Sequence, residues 1–401
     1  MKIERIETVR TTEFPNILWV ELHTDEGLVG LGETFYGLDA AEGHIHSLIA
    51  PKLIGKDPRQ IARHQSELTG YVGFVGSSAE MRGRSAIDIA LWDILGQAAG
   101  LPLCDLLGGR VRDDIRVYNT CAGYSYVQTK ITQGTDNFGL DATTGQYEDL
   151  DAFLNRADEL AQSLLEMDIT AMKIWPFDYA AEASGGQWIG SDDLRRGLEP
   201  FEKIRAAVGD RMEIAAELHA LWSRPMAIKI ARALEDIGPM WVEDPVVMDH
   251  LHAVGEVADG TLCPVAVGET RGGGGDFRQL FELGNLAMVI MDVTWCGGIS
   301  QAKKAATFGE PYQVPVAFHD CTGPIALLAS THLALNTPNC WTQEVVRAFY
   351  YGWYHRFVTE LPPITKGQIT VPPGPGLGTR LQPDVKTRDG VTVRITDASD
   401  I

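Results

Sequence analysis

Short apolar segments alternate with helical patterns along residues 115–348, and this alternation restricts the possible fold more than any other property of the chain. Strands that alternate with helices are typical of α/β proteins with parallel sheets. Eight such strands predict a (β/α)7β TIM-like barrel, although a doubly wound sheet has the same periodicity. The predicted strand cores are Ile115–Tyr118, Ala171–Ile174, Glu213–Ala216, Met240–Val242, Val265–Val267, Ala287–Met291, Val314–Phe318 and Cys340–Thr342.

The residues on either side of this region follow different patterns. The chain begins with three strand-like segments and then acquires a helical period, which is clearest over Ser85–Ala98. Strands followed by helices are typical of an α+β domain. We therefore expect an α+β capping domain over residues 1–114, a barrel over 115–348 and a further C-terminal segment over 349–401.

Three glutamates each follow an apolar strand directly. Glu217, Glu243 and Glu269 are spaced 26 residues apart, which is one strand–helix unit per step. In a barrel this spacing brings three adjacent strand ends together at the rim where barrel active sites lie. Converging carboxylates repel one another unless a cation neutralises them, and oxygen ligands favour Mg²⁺ or Mn²⁺ over zinc. Each glutamate alone is more simply a solvated strand end, but equal spacing favours a shared metal site.

Two further polar residues end the next two strands in the same register. Asp292 and His319 lie 27 residues apart. On neighbouring strand ends the Asp292 carboxylate would accept a hydrogen bond from one imidazole nitrogen and leave the other free. Such a partner fixes the tautomer and raises the basicity of an imidazole, whose ordinary pKa is about 6.5. We expect His319 to act as a general base oriented by Asp292, and we expect Asp244 and Asp320 to point to the opposite sides of their strands.

Three other residues are candidate members of the same site. Lys173 lies within an apolar strand, where it balances the charge of the glutamates, holds a substrate carboxylate or transfers a proton. His219 shares a strand face with Glu217 and is either a general acid or a structural hydrogen-bonding residue. Glu344 ends the eighth strand and either bonds to substrate or pairs with Arg347.

Composition excludes several classes of partner. The 401 residues carry a net charge of −20 and include no stretch of five or more basic residues. A strongly acidic surface repels nucleic-acid backbones and anionic lipid, so neither nucleic acid nor a membrane is an expected partner. Six scattered cysteines without a CxxC pair, and a charged N-terminus without a signal-peptide pattern, predict reduced thiols in the cytoplasm.

Taken together, these residues resemble the mandelate racemase/muconate lactonizing enzyme branch of the enolase superfamily. The resemblance extends over nearly the whole chain, from the capping segments Ile87–Asp93 and Leu106–Arg110 to a glycine- and proline-rich C-terminal segment. It implies Mg²⁺ at the three glutamates, a His–Asp pair at His319 and Asp292, and a C-terminal return to the cap. It also implies a small carboxylate substrate and a homo-oligomer.

Two departures from this branch narrow the expected reaction. Most relatives have Lys-x-Lys on the second barrel strand, whereas this chain has Lys173-Ile174-Trp175, so two-base racemisation lacks its usual second group. His219 is similar to a residue of the mannonate dehydratases, although their tyrosine–arginine base is not found here. The sequence most resembles acid-sugar dehydratases, which convert an aldonate or aldarate to a 2-keto-3-deoxy acid through an enediolate.

Three alternatives remain open from sequence. A racemase, epimerase or cycloisomerase would use the same enediolate, a metal-dependent sugar isomerase barrel would also gather carboxylates, and a non-enzymatic relative would keep only the barrel. For the substrate pocket we expect cap segments Phe14–Asn16 and Tyr71–Gly76 to close over the ligand. The residues expected to line it are Trp175, Trp222 and Trp295.

Overall fold

The computed structural model describes residues 1–69, 78–142 and 144–401. Its central element is a closed barrel of eight parallel strands in chain order, in which the last strand pairs with the first. This closure confirms the barrel and excludes the doubly wound sheet. The barrel strands are β4 (Ile115–Thr120), β5 (Ala171–Ile174), β6 (Glu213–Glu217), β7 (Val242–Glu243), β8 (Val265–Val267), β9 (Met288–Met291), β10 (Val316–Phe318) and β11 (Cys340–Val345).

The interior of the barrel is apolar below the strand ends. An interior cluster includes Ala171, Ala215 and Trp241, each of which stands two residues before a predicted site residue. Because side chains alternate across a strand with a period of two, a residue two positions further on points into the same interior. The apolar interior therefore directs Lys173, Glu217 and Glu243 toward the barrel axis.

Helices surround the barrel and cover its outer face. They are α6 (Asp149–Asn155), α7 (Ala157–Leu165), α8 (Asp178–Ser184), α9 (Ser191–Val208), α10 (Arg224–Ala233), α11 (Leu251–Asp259), α12 (Gly273–Glu282), α13 (Gly298–Gly309), α14 (Pro324–Asn336), α15 (Arg347–Phe349) and α16 (His355–Phe357). The largest hydrophobic cluster lies between these helices and the strands.

The capping domain is a four-stranded antiparallel sheet packed against helices. Its strands are β1 (Ile3–Thr11), β2 (Ile17–Thr24), β3 (Val29–Phe35) and the C-terminal β14 (Val391–Asp397), in the order β14-β1-β2-β3, and a small hairpin, β12 (Ile364–Thr365) and β13 (Gln368–Ile369), extends β4. The cap helices are α1 (Leu38–His44), α2 (Ala50–Leu53), α3 (Ile61–Glu67), α4 (Ala79–Ala99) and α5 (Leu103–Leu106).

Helix α4 contacts strand β3 so closely that two positions of the strand exclude a side chain. A Cβ atom at Gly30 or Gly32 would collide with the backbone carbonyls of Ala90 and Ala86 respectively. The Asp93 carboxylate of the same helix accepts the backbone N–H of Leu31 at 2.9 Å and that of Leu377 at 2.8 Å. Helix α4 thus joins the cap sheet to the C-terminal segment, which returns to the cap as the resemblance implied.

Within the described parts of the chain, no helix has the length and apolar character needed to cross a membrane.

Candidate active site

The carboxyl ends of the barrel strands surround a cavity of about 630 Å³. Its floor includes Lys173, Glu217, Glu269 and His319 from the strand ends. Side chains from the cap and from the long loop after β4 form its upper wall; these are Tyr36, Arg82, Tyr126, Val127, Gln133, Thr135 and Phe138. A concave site at this end of a barrel, with convergent polar groups, is where barrel enzymes bind substrate.

The three predicted metal ligands converge. One carboxylate oxygen each from Glu217, Glu243 and Glu269 lies within 4.8 Å of the others. Burial, followed by the negative charge of Glu217, raises the pKa of Glu243 to about 8. The Glu217 Oε2 atom is buried and has no hydrogen-bond partner among the described residues. Three buried or partly buried carboxylates that converge and offer only oxygen ligands fit a hard divalent cation such as Mg²⁺ or Mn²⁺.

Lys173 lies beneath this cluster and contacts three carboxylates. Its Nζ is 2.7 Å from Glu243 Oε1, 3.1 Å from Glu344 Oε1 and 3.3 Å from Glu217 Oε2. Burial alone would lower the pKa of Lys173, but the charges of Glu243 and Glu344 outweigh it and raise that pKa well above its ordinary value. Lys173 is therefore an ammonium ion at the cavity floor.

Glu344 lies behind the cavity wall rather than in it. Its carboxylate accepts hydrogen bonds from the Thr120 hydroxyl and, at 2.9 Å, from the backbone N–H of Asp320. The alternative partner suggested from sequence, Arg347, instead binds Asp149 with two nitrogens at 2.7 Å each. Glu344 therefore contacts two of the described residues that line the cavity, Lys173 and Thr120, without lining it itself.

His319 and Asp292 are paired as their spacing predicted. His319 Nδ1 is 2.7 Å from Asp292 Oδ2, and the other oxygen of Asp292 accepts the backbone N–H and the hydroxyl of Thr294, each at 2.6 Å. A carboxylate only accepts, so Nδ1 donates. Nε2 lies on the cavity side, 3.3 Å from Glu269 Oε2. Burial opposes protonation of His319, but Glu269, Glu344 and Asp292 together raise its pKa well above the ordinary value.

A second His–Asp pair faces the first across the barrel. His219 Nδ1 is 2.7 Å from Asp178 Oδ2, and both residues line the cavity. Burial again opposes the charge, but Asp178 and Glu217 raise the pKa of His219 to about 10. His219 follows β6 and His319 follows β10, four strands apart in an eight-stranded barrel, so the two imidazoles approach the cavity from opposite sides.

The turns after two ligand strands contain strained residues. His219, Ala220 and Asp244 have φ values of 48°, 56° and 38°, which non-glycine residues adopt rarely and mainly where surrounding structure enforces them. The turn changes the direction of the Asp244 side chain. The expectation that Asp244 points away from the site is wrong: it lines the cavity with Glu217 and Glu269.

The expectations for the pocket wall are met in part. Trp175 and Trp295 line the cavity, with rings 5.6 Å from His219 and 5.3 Å from His319 respectively. Trp222 is buried and is absent from the described lining, so its expected position is wrong. The segment Tyr71–Gly76 lies outside the described residues.

The cap segment Phe14–Asn16 supports the cavity instead of covering it. Phe14 stacks on Trp353 with ring centroids 4.2 Å apart. The Asn16 side-chain amide donates to the carbonyls of Val127 and Lys130, both at 2.7 Å. Because Val127 lines the cavity, Asn16 holds the loop that forms its upper wall.

Sequence patterns did not reveal Asp178 or Arg82 as cavity residues. Asp178 begins a short helix 41 residues before its partner His219, and Arg82 stands on a cap helix. Neither ends a barrel strand, so neither shares the regular spacing that marked the other residues. The strongest available signal was the position of Asp178 shortly after the strand that carries Lys173.

Family comparisons match the same two regions of the chain. The N-terminal domain of the mandelate racemase/muconate lactonizing enzymes matches residues 5–108, and an enolase C-terminal domain-like model matches residues 156–385. The chain belongs to the mandelate racemase/muconate lactonizing enzyme family. Members of the enolase superfamily use a divalent metal ion, which agrees with the carboxylate cluster of this family member.

Matches to individual relatives extend over almost the full length of this chain. A D-galactonate dehydratase of Ralstonia nicotianae is 30% identical over 94% of this chain and 91% of its own. A D-xylonate dehydratase of Haloferax volcanii is 29% identical, and the match covers 94% of this chain and 87% of the Haloferax volcanii protein. A solved enolase of the mandelate racemase subgroup from Agrobacterium tumefaciens is 48% identical, with a TM-score of 0.88 over all of both chains.

Proposed function

We propose that this protein is a hydro-lyase that dehydrates an acid sugar, an aldonate or aldarate, to a 2-keto-3-deoxy acid with Mg²⁺ or Mn²⁺ as cofactor. The observation that carries the proposal is the pair of His–Asp dyads on opposite sides of one cavity, above three converging glutamates. The relatives named as D-galactonate and D-xylonate dehydratases support the same class of reaction.

The proton next to a carboxylate is weakly acidic, so its removal requires a base and stabilisation of the resulting charge. Glu217, Glu243 and Glu269 would hold a divalent cation, which would supply that stabilisation at the substrate carboxylate. Lys173 donates a further hydrogen bond to the same charge. His319 Nε2 would take the α-proton in the metal-loaded protein, where the cation offsets the charge of Glu269 that raises the pKa of His319. Asp292 holds the ring through Nδ1 and would stabilise the imidazolium that forms.

Departure of the β-hydroxyl requires a proton, which protonated His319 or His219 could supply. His219, which Asp178 keeps protonated, is placed to deliver that proton as the C–O bond breaks. The leaving group departs as water and the remaining enol becomes the 2-keto-3-deoxy acid after protonation at C3. The net change is loss of one water molecule from the substrate, with no oxidant or reductant required.

One alternative is favoured by a specific observation. Two imidazoles on opposite sides of a cavity also suit an epimerase, in which His319 removes the α-proton and His219 returns one to the other face. Trp175 stands where the relatives have the lysine that usually supplies this second group. Racemisation, epimerisation and cycloisomerisation give products without a new keto group, so product analysis separates them from dehydration.

The test is a screen of acid sugars with Mg²⁺ in D₂O, read by a colour reaction for 2-keto acids and by proton NMR. We expect a 2-keto-3-deoxy acid from at least one aldonate or aldarate, and no product after removal of metal with EDTA. Formation of an epimer without a keto acid would replace dehydration by epimerisation. No reaction with any acid sugar of the panel would reject the proposed function.

A further inference from the structure

Arg82 of the cap helix α4 is a cationic side chain in the cavity that forms no ion pair with any described residue. Arg82 lines the cavity, and its guanidinium carbon lies 5.2 Å from the centre of the Trp295 ring. Its Nε is buried and has no hydrogen-bond partner, and Arg82 makes no ion pair within residues 1–69, 78–142 and 144–401. Its contact with Trp295 is a cation–π interaction.

The other cationic or protonatable residues in this cavity wall are all matched by carboxylates. Lys173 is 2.7 Å from Glu243, His219 is 2.7 Å from Asp178, and His319 is 2.7 Å from Asp292. Arg82 differs from all of them. A guanidinium is always protonated, and burying its Nε–H without an acceptor is costly. The Trp295 ring offsets only part of that cost, so no described residue satisfies this donor of Arg82.

The position of Arg82 relates it to the substrate. Trp295 contacts both Arg82 and His319, since its ring lies 5.3 Å from the His319 ring. In the proposed reaction, the α-carbon of the substrate would lie at His319 and its first carboxylate at the three glutamates on the floor. Arg82 belongs to the upper wall, opposite that floor, where the far end of a short carbon chain would lie.

We propose that Arg82 forms a subsite for a second carboxylate, so that the preferred substrate is an aldarate, a sugar acid with a carboxylate at each end. The inference rests on the proposed dehydration and specifies its substrate class. A planar carboxylate accepts two parallel hydrogen bonds from a guanidinium, a geometry that compensates both the charge and the donors. The terminal hydroxyl of an aldonate is neutral and leaves the Arg82 charge unmatched.

The decisive experiment compares matched substrate pairs that differ only at the far end. The pairs are D-galactonate with galactarate and D-gluconate with D-glucarate, assayed with Mg²⁺, and 6-phospho-D-gluconate tests for a terminal phosphate. Binding of each acid to the Mg²⁺-loaded protein is measured in parallel by calorimetry. We expect at least one diacid to bind about 10- to 100-fold more tightly than its partner monoacid and, if dehydrated, to have the higher kcat/KM.

Substitution of Arg82 assigns the preference to this side chain. Arg82→Gln is expected to weaken diacid binding about 10- to 100-fold, mainly as a higher KM, and to change monoacid binding by less than about threefold. Arg82→Lys keeps the charge without the planar fork and is expected to recover part of the loss. Arg84→Gln is the matched control, because Arg84 is a buried arginine on the same helix that lines a different cavity.

The outcomes separate the subsite from the reaction. If diacids bind selectively through Arg82 but no acid is dehydrated, the proposed function fails and the subsite stands. If monoacids are dehydrated and no diacid is preferred, the subsite is rejected and the dehydratase stands. The subsite is also rejected if no diacid binds, if Arg82→Gln weakens both members of a pair equally, or if the phosphorylated acid is preferred to the diacids.

Discussion

Each of the two cavity histidines has one ring nitrogen bound to a buried carboxylate and the other available to the cavity. Asp292 is held by Thr294 as well as by His319, so the carboxylate is fixed before it orients the imidazole. Asp178 Oδ2 binds His219 in the same way, although the other oxygen of Asp178 is buried without a hydrogen-bond partner among the described residues. Such fixed partners set the tautomer of each ring, and the opposite positions of the rings give them different tasks in one reaction.

His319→Asn removes the proposed base and is expected to lower kcat by about 10²- to 10⁴-fold, because asparagine cannot accept the α-proton. Exchange of the α-proton with D₂O, followed by NMR, is expected to disappear together with dehydration. The matched control is His252→Asn, which changes a histidine that is 80% exposed on α11. Undiminished dehydration by His319→Asn at unchanged folding would reject His319 as the base.

His219→Gln tests whether His219 protonates the leaving hydroxyl while His319 removes the α-proton. If His219 protonates the leaving hydroxyl, its loss blocks elimination but leaves proton abstraction by His319 in place. We expect dehydration to fall by about 10²-fold or more while the substrate still exchanges its α-proton with D₂O. Loss of both processes to the same extent would mean that His219 does not act as the leaving-group acid.

At the scale of elements, helix α14 is tied to two other segments by a buried histidine. His332 Nδ1 accepts the backbone N–H of Cys104 at 3.2 Å, and its Nε2 donates to the carbonyl of Leu377 at 3.3 Å. Burial lowers the pKa of His332 to about 4. A proton on Nδ1 would both place a charge in the core and displace the N–H of Cys104, so the folded chain keeps this ring neutral.

This arrangement predicts an acid-sensitive contribution to stability. The pKa of His332 is lower in the folded chain than the value of about 6.5 in the unfolded chain, so the unfolded chain binds the proton more readily and stability falls as the pH decreases. Between pH 7 and pH 5 the loss from His332 is about 2 kcal/mol.

Urea unfolding at the two pH values measures this loss. Glutamine at position 332 keeps an acceptor and a donor but does not titrate. Between pH 7 and pH 5, the free energy of unfolding of His332→Gln is therefore expected to fall by about 2 kcal/mol less than that of the wild type. The other buried histidine with a pKa near 4, His46, is present in both proteins and its effect cancels. Equal pH dependence in the two proteins would contradict the prediction.

At the scale of the whole molecule, the catalytic end of the barrel brings several carboxylates close together. Glu217, Asp244 and Glu269 line the cavity, and one oxygen each of Glu217, Glu243 and Glu269 lies within 4.8 Å of the others. A divalent cation that binds the folded chain and not the unfolded one stabilises the fold in proportion to the logarithm of its concentration. The free energy of folding is therefore expected to depend on Mg²⁺.

We expect Mg²⁺ at about 100 times its Kd to stabilise the protein by about 2.7 kcal/mol and EDTA to reverse the effect, as measured by thermal unfolding. Glu217→Gln is expected to remove most of this increment. Glu21→Gln is the control, because Glu7, Glu21 and His23 form a similar group of potential ligands in the cap, but Lys386 pairs with both glutamates. Equal Mg²⁺ responses in the two variants would contradict the metal site.

The amino-acid sequence by itself determined the alternation of strands and helices, the α+β cap and the positions of the strand-end residues, whereas the pairing of the last barrel strand with the first excluded a doubly wound sheet. Apolar strands of regular spacing specify which residues end each strand, and an alternating side-chain direction specifies which of them point inward. Glu217, Glu243, Glu269, Asp292 and His319 follow from these local rules, and the structure brings them to one end of the barrel.

The tertiary structure alone decided which residues outside the strand pattern join them. Asp178 meets His219 across 41 residues, Asp244 turns inward at a strained φ, and Arg82 enters from a cap helix, whereas Trp222 packs elsewhere. These positions depend on loop conformations and on how the cap packs against the barrel. Because such contacts join residues far apart in the chain, no local periodicity encodes them, and only the folded arrangement shows them.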